Sequence, residues 1–526
     1  MAAGSSSTPA SEAPSKAACD GDAPRVAVIG SGIAGMAAAI RLRLSGCDVQ
    51  VFEAGDAPGG KLGALELGAW RFGIGPSLLT MPEYIDELFT LAGENPGDHF
   101  RYRRLEVVCR YAWEDGTRLD AHADPQAFAA EAERVLGVPA RRVLDFLDRG
   151  EEKYRLTGRT FLEKPLHAPG TWLNAEVGRA LTRLHRLELL NTLHQVHKRA
   201  LMEPHLVQLF DRFATYNGSN PWRAPGLLSM IAHFEHGAGA YVPEGGMAAI
   251  AEALHGLAER VGVRFAFNTR VEEIVTARRG RRLHATGLRL ARASEEAVAF
   301  DRVVSNMDLF FTHERLLPHA PRPARTLAQE KSTSALIFYW GVDKSFPALD
   351  VHNIFFSDDY RREFETLEAG SIDDDPTVYV SISSRYDKNA APEGAENWFV
   401  MINAPFSAGQ DWAAIRDRVR ERVLLKLERM LSLSHEGPIG LREAIVEEAV
   451  FDPTTIEART LSHLGALYGT SSNSRKAAFM RHPNHSRYID GLYFCGGSVH
   501  PGGGLPLCLL SAKIMTAEMQ RRQPWQ

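Results

Sequence analysis

One short segment near the start of the chain constrains the fold more than any other. The apolar run Val26–Ile29 predicts a buried strand, and it leads directly into the glycine-rich turn Gly30–Gly35. Residues 33–44 carry apolar side chains at helical density without proline, and residues 48–52 alternate as a second strand that ends at Glu53. A strand, a helix and a second strand in so few residues predict a parallel α/β unit of the Rossmann type.

The turn has the spacing G-x-G-x-x-G, which suits the diphosphate of a dinucleotide. Gly30 makes the tight turn, Gly32 lets the backbone approach the diphosphate, and Gly35 allows close packing of helix and strand. The helix N-terminus, which begins at Ile33, offers free N–H groups to the phosphates. Glu53 follows Gly35 by 18 residues, where a carboxylate binds ribose hydroxyls and repels a phosphorylated ribose. The pattern favours FAD or NAD over NADP; the alternative is a strand–helix turn without a ligand.

A second motif follows Glu53 and separates FAD from NAD. The run Glu53–Lys61, EAGDAPGGK, has the form E-x5-G-G-[KR] and resembles the extended signature of flavoprotein amine oxidases and carotenoid desaturases. We expect Ala54 and Gly60 to lie against the cofactor and Lys61 to offset its anionic charge. The alternative is a surface turn with a solvated lysine.

A third motif is Gly75–Pro76–Ser77, in the segment FGIGPS. In these flavoproteins a Gly-Pro segment near this point passes the isoalloxazine ring, and the resemblance therefore implies that these three residues contact the cofactor. Relatives often carry Asp where this chain has Gly73, so no polar contact is expected from that position. Gly-Pro is also a common loop signal on its own.

The fourth motif is the run GLYFCGGSVHPGGGLPL, residues 491–507. A predicted strand is followed by a glycine-rich loop and then by a helix from about Leu505, with Pro506 in its first turn. The N-terminus of this helix again offers N–H groups to an anionic partner. We expect this end to face the flavin, through Gly497 and Ser498. Amine oxidases usually carry Gly-Asp at this pair, whereas carotenoid desaturases carry a His-Pro-Gly loop, which His500 begins here.

Together these motifs resemble the carotenoid (phytoene-type) desaturase family of FAD oxidoreductases, over residues 25–519. The segments FATYNGSNP (213–221) and PTVYVSISSRY (376–386) look most like its 1-hydroxycarotenoid 3,4-desaturase branch. The resemblance implies FAD as the cofactor, hydride transfer to flavin N5 with loss of a proton, and oxygen or a quinone as electron acceptor. It also implies backbone contact of Val271 with the adenine.

The same resemblance supplies roles for three polar residues. His500 is a candidate to take the proton, and its alternative is a turn residue. Asn217 and Ser219 are candidates to hydrogen-bond the substrate hydroxyl, and their alternative is a turn held by side-chain-to-backbone bonds. Three other functions stay open: a phytoene desaturase, a flavin amine oxidase, and a non-catalytic lipid-carrier protein of the same fold.

The order of predicted elements suggests an α/β chain in which a Rossmann-type FAD-binding domain, amine-oxidase-like, is interrupted by an inserted sheet-plus-helix substrate domain. The predicted segments are a disordered tail (1–24), the FAD-binding domain in three parts (25–122, 241–309 and 486–526), a helical region facing substrate and membrane (123–240), and the substrate-binding domain (310–485).

Composition limits the partners. The formal net charge is −5, with 60 basic and 65 acidic residues, which argues against nucleic acid as a partner. Five scattered cysteines without ligand spacing argue against a zinc site or other metal. Leu and Val at near-helical spacing over 173–196, interleaved with Arg and Lys, suggest a basic amphipathic helix on a membrane surface, or a core-facing helix with a charged outer side. We expect a cytoplasmic protein, peripheral on the inner face of the cell membrane, with a carotenoid as its lipid substrate.

Overall fold

The structure is a computed structural model that describes residues 23–172, 175–183, 186–291, 296–433, 439–474, 477–478 and 480–522. The strands of these residues are β1 Arg25–Ile29, β2 Asp48–Phe52, β3 Ala64–Leu67, β4 Trp70–Gly73, β5 Tyr102–Arg104, β6 Val107–Ala112, β7 Arg118–His122, β8 Tyr241–Pro243, β9 Arg264–Ala266, β10 Val271–Arg279, β11 Arg282–Leu290, β12 Val298–Ala299, β13 Arg302–Ser305, β14 Ser334–Val342, β15 His352–Phe355, β16 Val378–Ile382, β17 Glu396–Ala404, β18 Ile445–Phe451, β19 Ile489–Asp490 and β20 Leu492–Phe494.

The helices are α1 Ile33–Leu44, α2 Glu83–Leu91, α3 Pro125–Leu136, α4 Ala140–Glu163, α5 Ala175–Thr182, α6 Leu193–Leu201, α7 Pro204–Asp211, α8 Ala232–His236, α9 Ala249–Arg260, α10 Leu309–Phe311, α11 Ala324–Leu327, α12 Tyr360–Glu368, α13 Trp412–Ser432, α14 Leu441–Ala444, α15 Pro453–Thr460 and α16 Leu505–Arg522.

A parallel sheet of five strands, in the order β20-β13-β1-β2-β9, carries the dinucleotide motif. Alternate residues of β1 face opposite sides because side chains alternate along a strand. Val26 and Val28 pack with α1, α9 and α16, whereas Ala27 and Ile29 pack towards the sheet of β10, β11, β12 and β19. The parallel sheet is therefore covered on both faces, which confirms the predicted Rossmann-type fold.

A second, larger sheet has seven strands in the order β18-β14-β17-β16-β15-β6-β7. Every residue of β14 is buried. Phe338 and Trp340 pack against α13 on one face, while Ile337 and Tyr339 face β4 and α15 on the other. The parallel pairing of β15 with β6 brings strands from the predicted segments 25–122 and 310–485 into this one sheet.

Helices α3, α4, α6 and α7 pack with β6 and β7 at one end of the large sheet. Leu193 and Val196 of the predicted amphipathic stretch are buried, while Leu173 and Leu184 lie outside the described residues. The basic side chains of the stretch pair with acids: Arg186 with Glu152 at 2.7 Å and Arg199 with Glu188 at 2.6 Å. Part of the predicted positive charge is thus neutralised. Residues 1–22 of the predicted disordered tail also lie outside the described residues.

Within the described residues, no helix combines the length and apolar character needed to cross a bilayer.

Candidate functional site

The first turn of the parallel sheet has a backbone that requires glycine at two positions. Gly30 has φ +93°, and its N–H donates to the Phe52 carbonyl at 2.8 Å. A Cβ on Gly35 would lie 2.2 Å from the Gly30 carbonyl oxygen, so helix α1 could not pack on β1 with any larger residue. Gly35 therefore allows the close packing of helix and strand, but, although predicted among the cofactor-binding residues, it does not line the cavity described below.

Gly32 forms the floor of a groove beside this turn. A Cβ on Gly32 would lie 2.8 Å from Oδ1 of Asn306, and a Cβ on Gly60 would lie 3.4 Å from the Gly32 Cα. The Asn306 amide Nδ2 donates to the Cys495 carbonyl at 3.1 Å, which holds the side chain in place. Sequence reasoning missed Asn306, although a polar residue directly after the buried strand β13 marks the carboxyl edge of the sheet.

The N-terminus of α1 opens into this groove with its N–H groups uncapped. Gly32 stands at the N-cap without a side-chain hydrogen bond, and the first turn contains no acidic residue. Nearby, Glu53 accepts hydrogen bonds from the Ser31 N–H at 2.8 Å, the Ser31 hydroxyl at 2.9 Å and the Gly55 N–H at 2.8 Å. A carboxylate has about four acceptor positions, so Glu53 holds the turn and retains capacity for a ribose hydroxyl.

Lys61 lines the cavity, and its side chain is solvent-accessible. Its Nζ donates to the Leu467 carbonyl at 3.0 Å. Burial lowers the pKa of Lys61, while the nearby Asp308 carboxyl opposes that shift. Burial raises the pKa of Asp308, against a hydrogen bond from the Phe310 N–H and the charge of Lys61. Lys61 therefore supplies a positive charge at the cavity wall, where an anionic ligand would meet it.

The C-terminal glycine loop meets the first turn. The Cys495 N–H donates to the Ser305 carbonyl at 3.1 Å, and a Cβ on Gly496 would lie 3.9 Å from the Ala34 Cβ. The Ser498 hydroxyl accepts from the Leu309 N–H at 3.0 Å, which ties the loop to the segment after β13. The opening and closing motifs of the chain therefore share one groove.

One cavity of about 1140 Å³ runs from this groove into the space between the large sheet and the helical region. Most of the predicted site residues line it: Gly30, Gly32, Ile33, Glu53, Ala54, Gly60, Lys61, Gly75, Pro76, Ser77, Val271, Gly497, Ser498, His500, Leu505, Pro506 and Asn217. Ser219 does not. It is buried, and its hydroxyl accepts from the Ser472 N–H at 2.8 Å and faces the Asn217 carbonyl at 3.4 Å.

His500 is held by the backbone directly after α4. Its Nε2 lies 2.9 Å from the Lys164 carbonyl, to which it donates, because a carbonyl only accepts. Burial lowers the pKa of His500 to about 4. The imidazole is therefore neutral at physiological pH, with Nδ1 carrying a lone pair.

A chain of hydrogen bonds links the Gly-Pro segment to the large sheet. The Ser77 hydroxyl lies 2.6 Å from the Tyr379 hydroxyl, which lies 2.8 Å from Nδ1 of His352. Burial lowers the pKa of His352 to about 4 and raises the pKa of Tyr379 above its usual range. Sequence reasoning missed both residues of the sheet, because nothing local in β15 or β16 shows which residues face the cavity.

The groove fits FAD. Glycines leave room for the backbone to approach a dinucleotide diphosphate, and the uncapped N-terminus of α1 offers N–H groups to it. The carboxylate at the end of β2 suits the ribose. Gly60 and Lys61 on one side and Gly497 and Ser498 on the other line the continuation of the groove into the wider cavity. A flavin ring in that continuation would meet the apolar part of the cavity.

Comparisons with known proteins agree with this geometry. The chain is 46% identical, over 94% of its length and 98% of the relative, to a 1-hydroxycarotenoid 3,4-desaturase of Flavobacterium sp. (strain P99-3). It is 32% identical to a 4,4'-diapolycopene oxygenase of Methylomonas sp., over 94% of this chain and 97% of the relative.

A solved oxidoreductase from Methanosarcina mazei shares the fold, with a TM-score of 0.60 and 15% identity over 94% of this chain and all of that one. The flavin containing amine oxidoreductase family matches residues 33–519. The chain therefore belongs to the flavin-containing amine oxidoreductases and is an FAD-dependent oxidoreductase.

Proposed function

We propose that this protein is a carotenoid desaturase that introduces a 3,4 double bond into a 1-hydroxylated acyclic or monocyclic carotenoid. The observation that carries the proposal is the cavity, which joins the dinucleotide groove to a long apolar space. The near full-length relationship to a 1-hydroxycarotenoid 3,4-desaturase supports the choice of substrate.

The walls of that space suit a polyene. Beyond the cofactor groove it is lined largely by aliphatic and aromatic side chains from the large sheet and the helical region, including Leu162, Leu166, Leu228, Met230, Ile231, Phe234, Ile337, Ile354, Phe399 and Met401. Contact with these side chains replaces the water around a hydrocarbon chain and aligns it lengthwise.

Desaturation removes a hydride and a proton from neighbouring carbons. Bound FAD supplies the hydride acceptor, while the residues of the groove hold and orient it. We assign the proton to His500, because its neutral imidazole lines the cavity and keeps a lone pair on Nδ1 while Nε2 donates to Lys164. A polyene cation is delocalised, so a weak base suffices for this step.

Molecular oxygen or a quinone is the proposed electron acceptor, and the inner face of the cell membrane is the proposed location. Large apolar side chains are exposed along 172–202: Trp172, Leu190 at 82% exposure and Met202 at 66%. The indole of Trp172 donates to the carbonyl of Leu166, a residue of the cavity wall, at 2.9 Å. Trp172 therefore lies beside the cavity wall, and we assign the exposed apolar side chains of this region to the membrane contact that a lipid substrate would require.

The function is tested by expression in cells that accumulate either phytoene or a 1-hydroxylated carotenoid. We expect a red shift of the pigment spectrum only with the hydroxylated carotenoid. A red shift with phytoene instead would favour a phytoene desaturase. A purified protein that is colourless and binds no FAD would favour the lipid-carrier alternative.

The membrane surface is tested by flotation with anionic phospholipid vesicles. Replacing Leu190 and Met202 together by Asp should abolish co-flotation of the protein. Leu425 of α13 is a matched control, since it is also an exposed leucine but lies on the helix that covers the opposite face of the large sheet. Equal loss for Leu425→Asp would contradict the assignment.

A further inference from the structure

A buried polar cluster lies at the wall of the cavity beyond the cofactor groove. Arg212 and Tyr216 belong to the 3-10 helix Arg212–Asn217, and Glu235 belongs to α8. Glu235 is 1% exposed and Arg212 is 8% exposed. All three side chains line the cavity. Charged residues this deeply buried are rare unless they have a specific partner.

The cluster is held together by the hydroxyl of Tyr216. That hydroxyl donates to Oε1 of Glu235 and accepts from Arg212 Nη2 at 3.3 Å. Arg212 also donates to the Tyr111 hydroxyl at 2.9 Å, and its guanidinium lies 5.0 Å from the ring centroid of Phe213. The arginine is thus fixed by aromatic residues, and it positions the carboxylate through Tyr216 without touching it.

Two acceptors of this cluster are unfilled. Among the described residues, neither Glu235 Oε2 nor Asn217 Oδ1 has a hydrogen-bond partner, although both atoms are buried. An unsatisfied buried acceptor is costly, and such atoms at a cavity wall indicate a ligand that donates hydrogen bonds. Asn217 lines the same cavity. The site therefore requires a donor from within the cavity.

The charges of the cluster select a neutral donor. Arg212 supplies a positive charge beside the single carboxylate, so an ammonium group would meet repulsion as well as attraction. The neighbouring wall is hydrocarbon: Leu228, Met230 and Phe234. A neutral hydroxyl on an apolar chain meets these requirements, whereas an amine does not.

The cluster also lies near the cofactor end of the cavity. Leu467 accepts the hydrogen bond of Lys61, and the next residue, Tyr468, packs on the C-terminal loop, where a Cβ on Gly503 would lie 2.8 Å from the Tyr468 Cα. Ser332 links this loop to the cluster: its hydroxyl accepts from the Tyr468 N–H at 3.0 Å, and a Cβ on Gly218, two residues after Tyr216, would lie 2.5 Å from the Ser332 Cβ. In a 1-hydroxylated substrate the hydroxyl carbon is separated from the 3,4 bond by one carbon, so its binding site must be near the flavin.

We propose that Glu235, positioned by Arg212 through Tyr216, binds the substrate hydroxyl and makes the enzyme specific for hydroxylated carotenoids. This inference rests on the proposed function and adds the residue that selects the substrate. A hydrocarbon end in the same place would leave the carboxylate without its hydrogen bond. Such a site rejects the substrate that lacks the hydroxyl more strongly than an apolar pocket could.

The test uses the purified FAD-loaded protein with a 1-hydroxylated carotenoid and with the hydrocarbon of the same skeleton, both in vesicles. Burial raises the pKa of Glu235 to about 7, so the assay is run at a pH high enough to ionise it. There we expect Glu235→Leu to lower kcat/KM on the hydroxylated carotenoid about 10- to 150-fold, the range for a hydrogen bond to a charged acceptor. Activity on the hydrocarbon should be unchanged or higher. The dissociation constant of the hydroxylated carotenoid, measured without oxygen, should rise by a similar factor. Glu235→Gln retains an acceptor oxygen and should lose less.

Two further variants keep the result interpretable. Tyr216→Phe preserves the ring and should weaken the preference for the hydroxylated carotenoid even where Glu235→Leu folds poorly. Glu448→Gln is the matched control, because Glu448 also accepts a hydrogen bond from an aromatic side chain, that of Trp340. Glu448 lies outside the cavity, so this variant should leave kcat/KM on both carotenoids unchanged.

The outcomes separate the two proposals. Equal losses on both carotenoids, or a preference that survives Glu235→Leu and Tyr216→Phe, would overturn the assignment of Glu235 and leave the desaturase function intact. A wild-type holoenzyme that desaturates neither carotenoid would refute the proposed function and this inference with it.

Discussion

Replacing Glu53 by Gln tests the dinucleotide groove without a large change of shape. In the structure, Oε2 accepts from the Ser31 N–H at 2.8 Å and Oε1 accepts from the Gly55 N–H at 2.8 Å. Glutamine has one acceptor oxygen and one NH₂ group. In either orientation of the amide, the NH₂ group therefore points at one of these two backbone N–H donors. One backbone N–H then loses its partner, at a cost of about 1–3 kcal/mol.

The ribose hydroxyl also loses its charged acceptor, and because a hydrogen bond to a charged group contributes about 1.5–3 kcal/mol, the dissociation constant for FAD should rise roughly 10- to 150-fold. The assay is titration of the FAD-free protein with FAD, followed by quenching of flavin fluorescence. Asp56→Asn is the matched control, because Asp56 lies exposed on the same loop, and it should change the affinity by less than about twofold. Equal affinity of wild type and Glu53→Gln would refute the role given to Glu53.

Three further predictions concern single residues. Gly32→Glu should abolish stoichiometric binding of FAD, because even a Cβ at this position would lie 2.8 Å from Asn306 Oδ1. The ratio of flavin to protein absorbance measures the FAD content, and full occupancy in the variant would contradict the placement of FAD beside Gly32. Burial raises the pKa of Glu235 from 4.5 to about 7, so the folded protein holds a proton there that the unfolded chain releases, and stability falls by up to about 3 kcal/mol as pH rises through that window. Glu235→Gln should remove this loss, so its unfolding free energy relative to wild type should improve between pH 5 and 8; a difference independent of pH would disprove the shift. His500→Gln keeps a donor for the Lys164 carbonyl but lacks a basic nitrogen, and we expect kcat to fall about 100-fold or more at unchanged FAD content; a loss below threefold would remove His500 from proton transfer.

The catalytic assignment of His500 also has a pH signature. Since burial lowers its pKa to about 4, the imidazole stays neutral from pH 6 to 9. We therefore expect ionisation of His500 to cause no change of rate in this range. If the pH–rate profile of the wild type changes near neutrality, that change should be absent from the profile of Glu235→Gln.

The amino-acid sequence determined the cofactor half of the site. Gly30, Gly32 and Glu53 belong to one continuous strand–turn–helix–strand unit, whose chemistry follows from local spacing. The same holds for the C-terminal loop, because a strand, glycines and a helix in sequence indicate which backbone groups stay free. Local pattern sufficed to identify these residues because each motif is continuous along the chain, although only the fold brings the C-terminal loop against the first turn.

Tertiary structure alone decided the substrate half. Tyr379 meets Ser77 across 302 residues, and β6 joins β15 although some 240 residues separate them. Glu235 faces the cavity because α8 packs beside the 3-10 helix that carries Tyr216, while Ser219, equally polar and only three residues beyond Tyr216, is buried elsewhere. Such placements depend on which apolar faces pack together over long separations, and no local periodicity encodes which polar side chain is then left at a cavity wall.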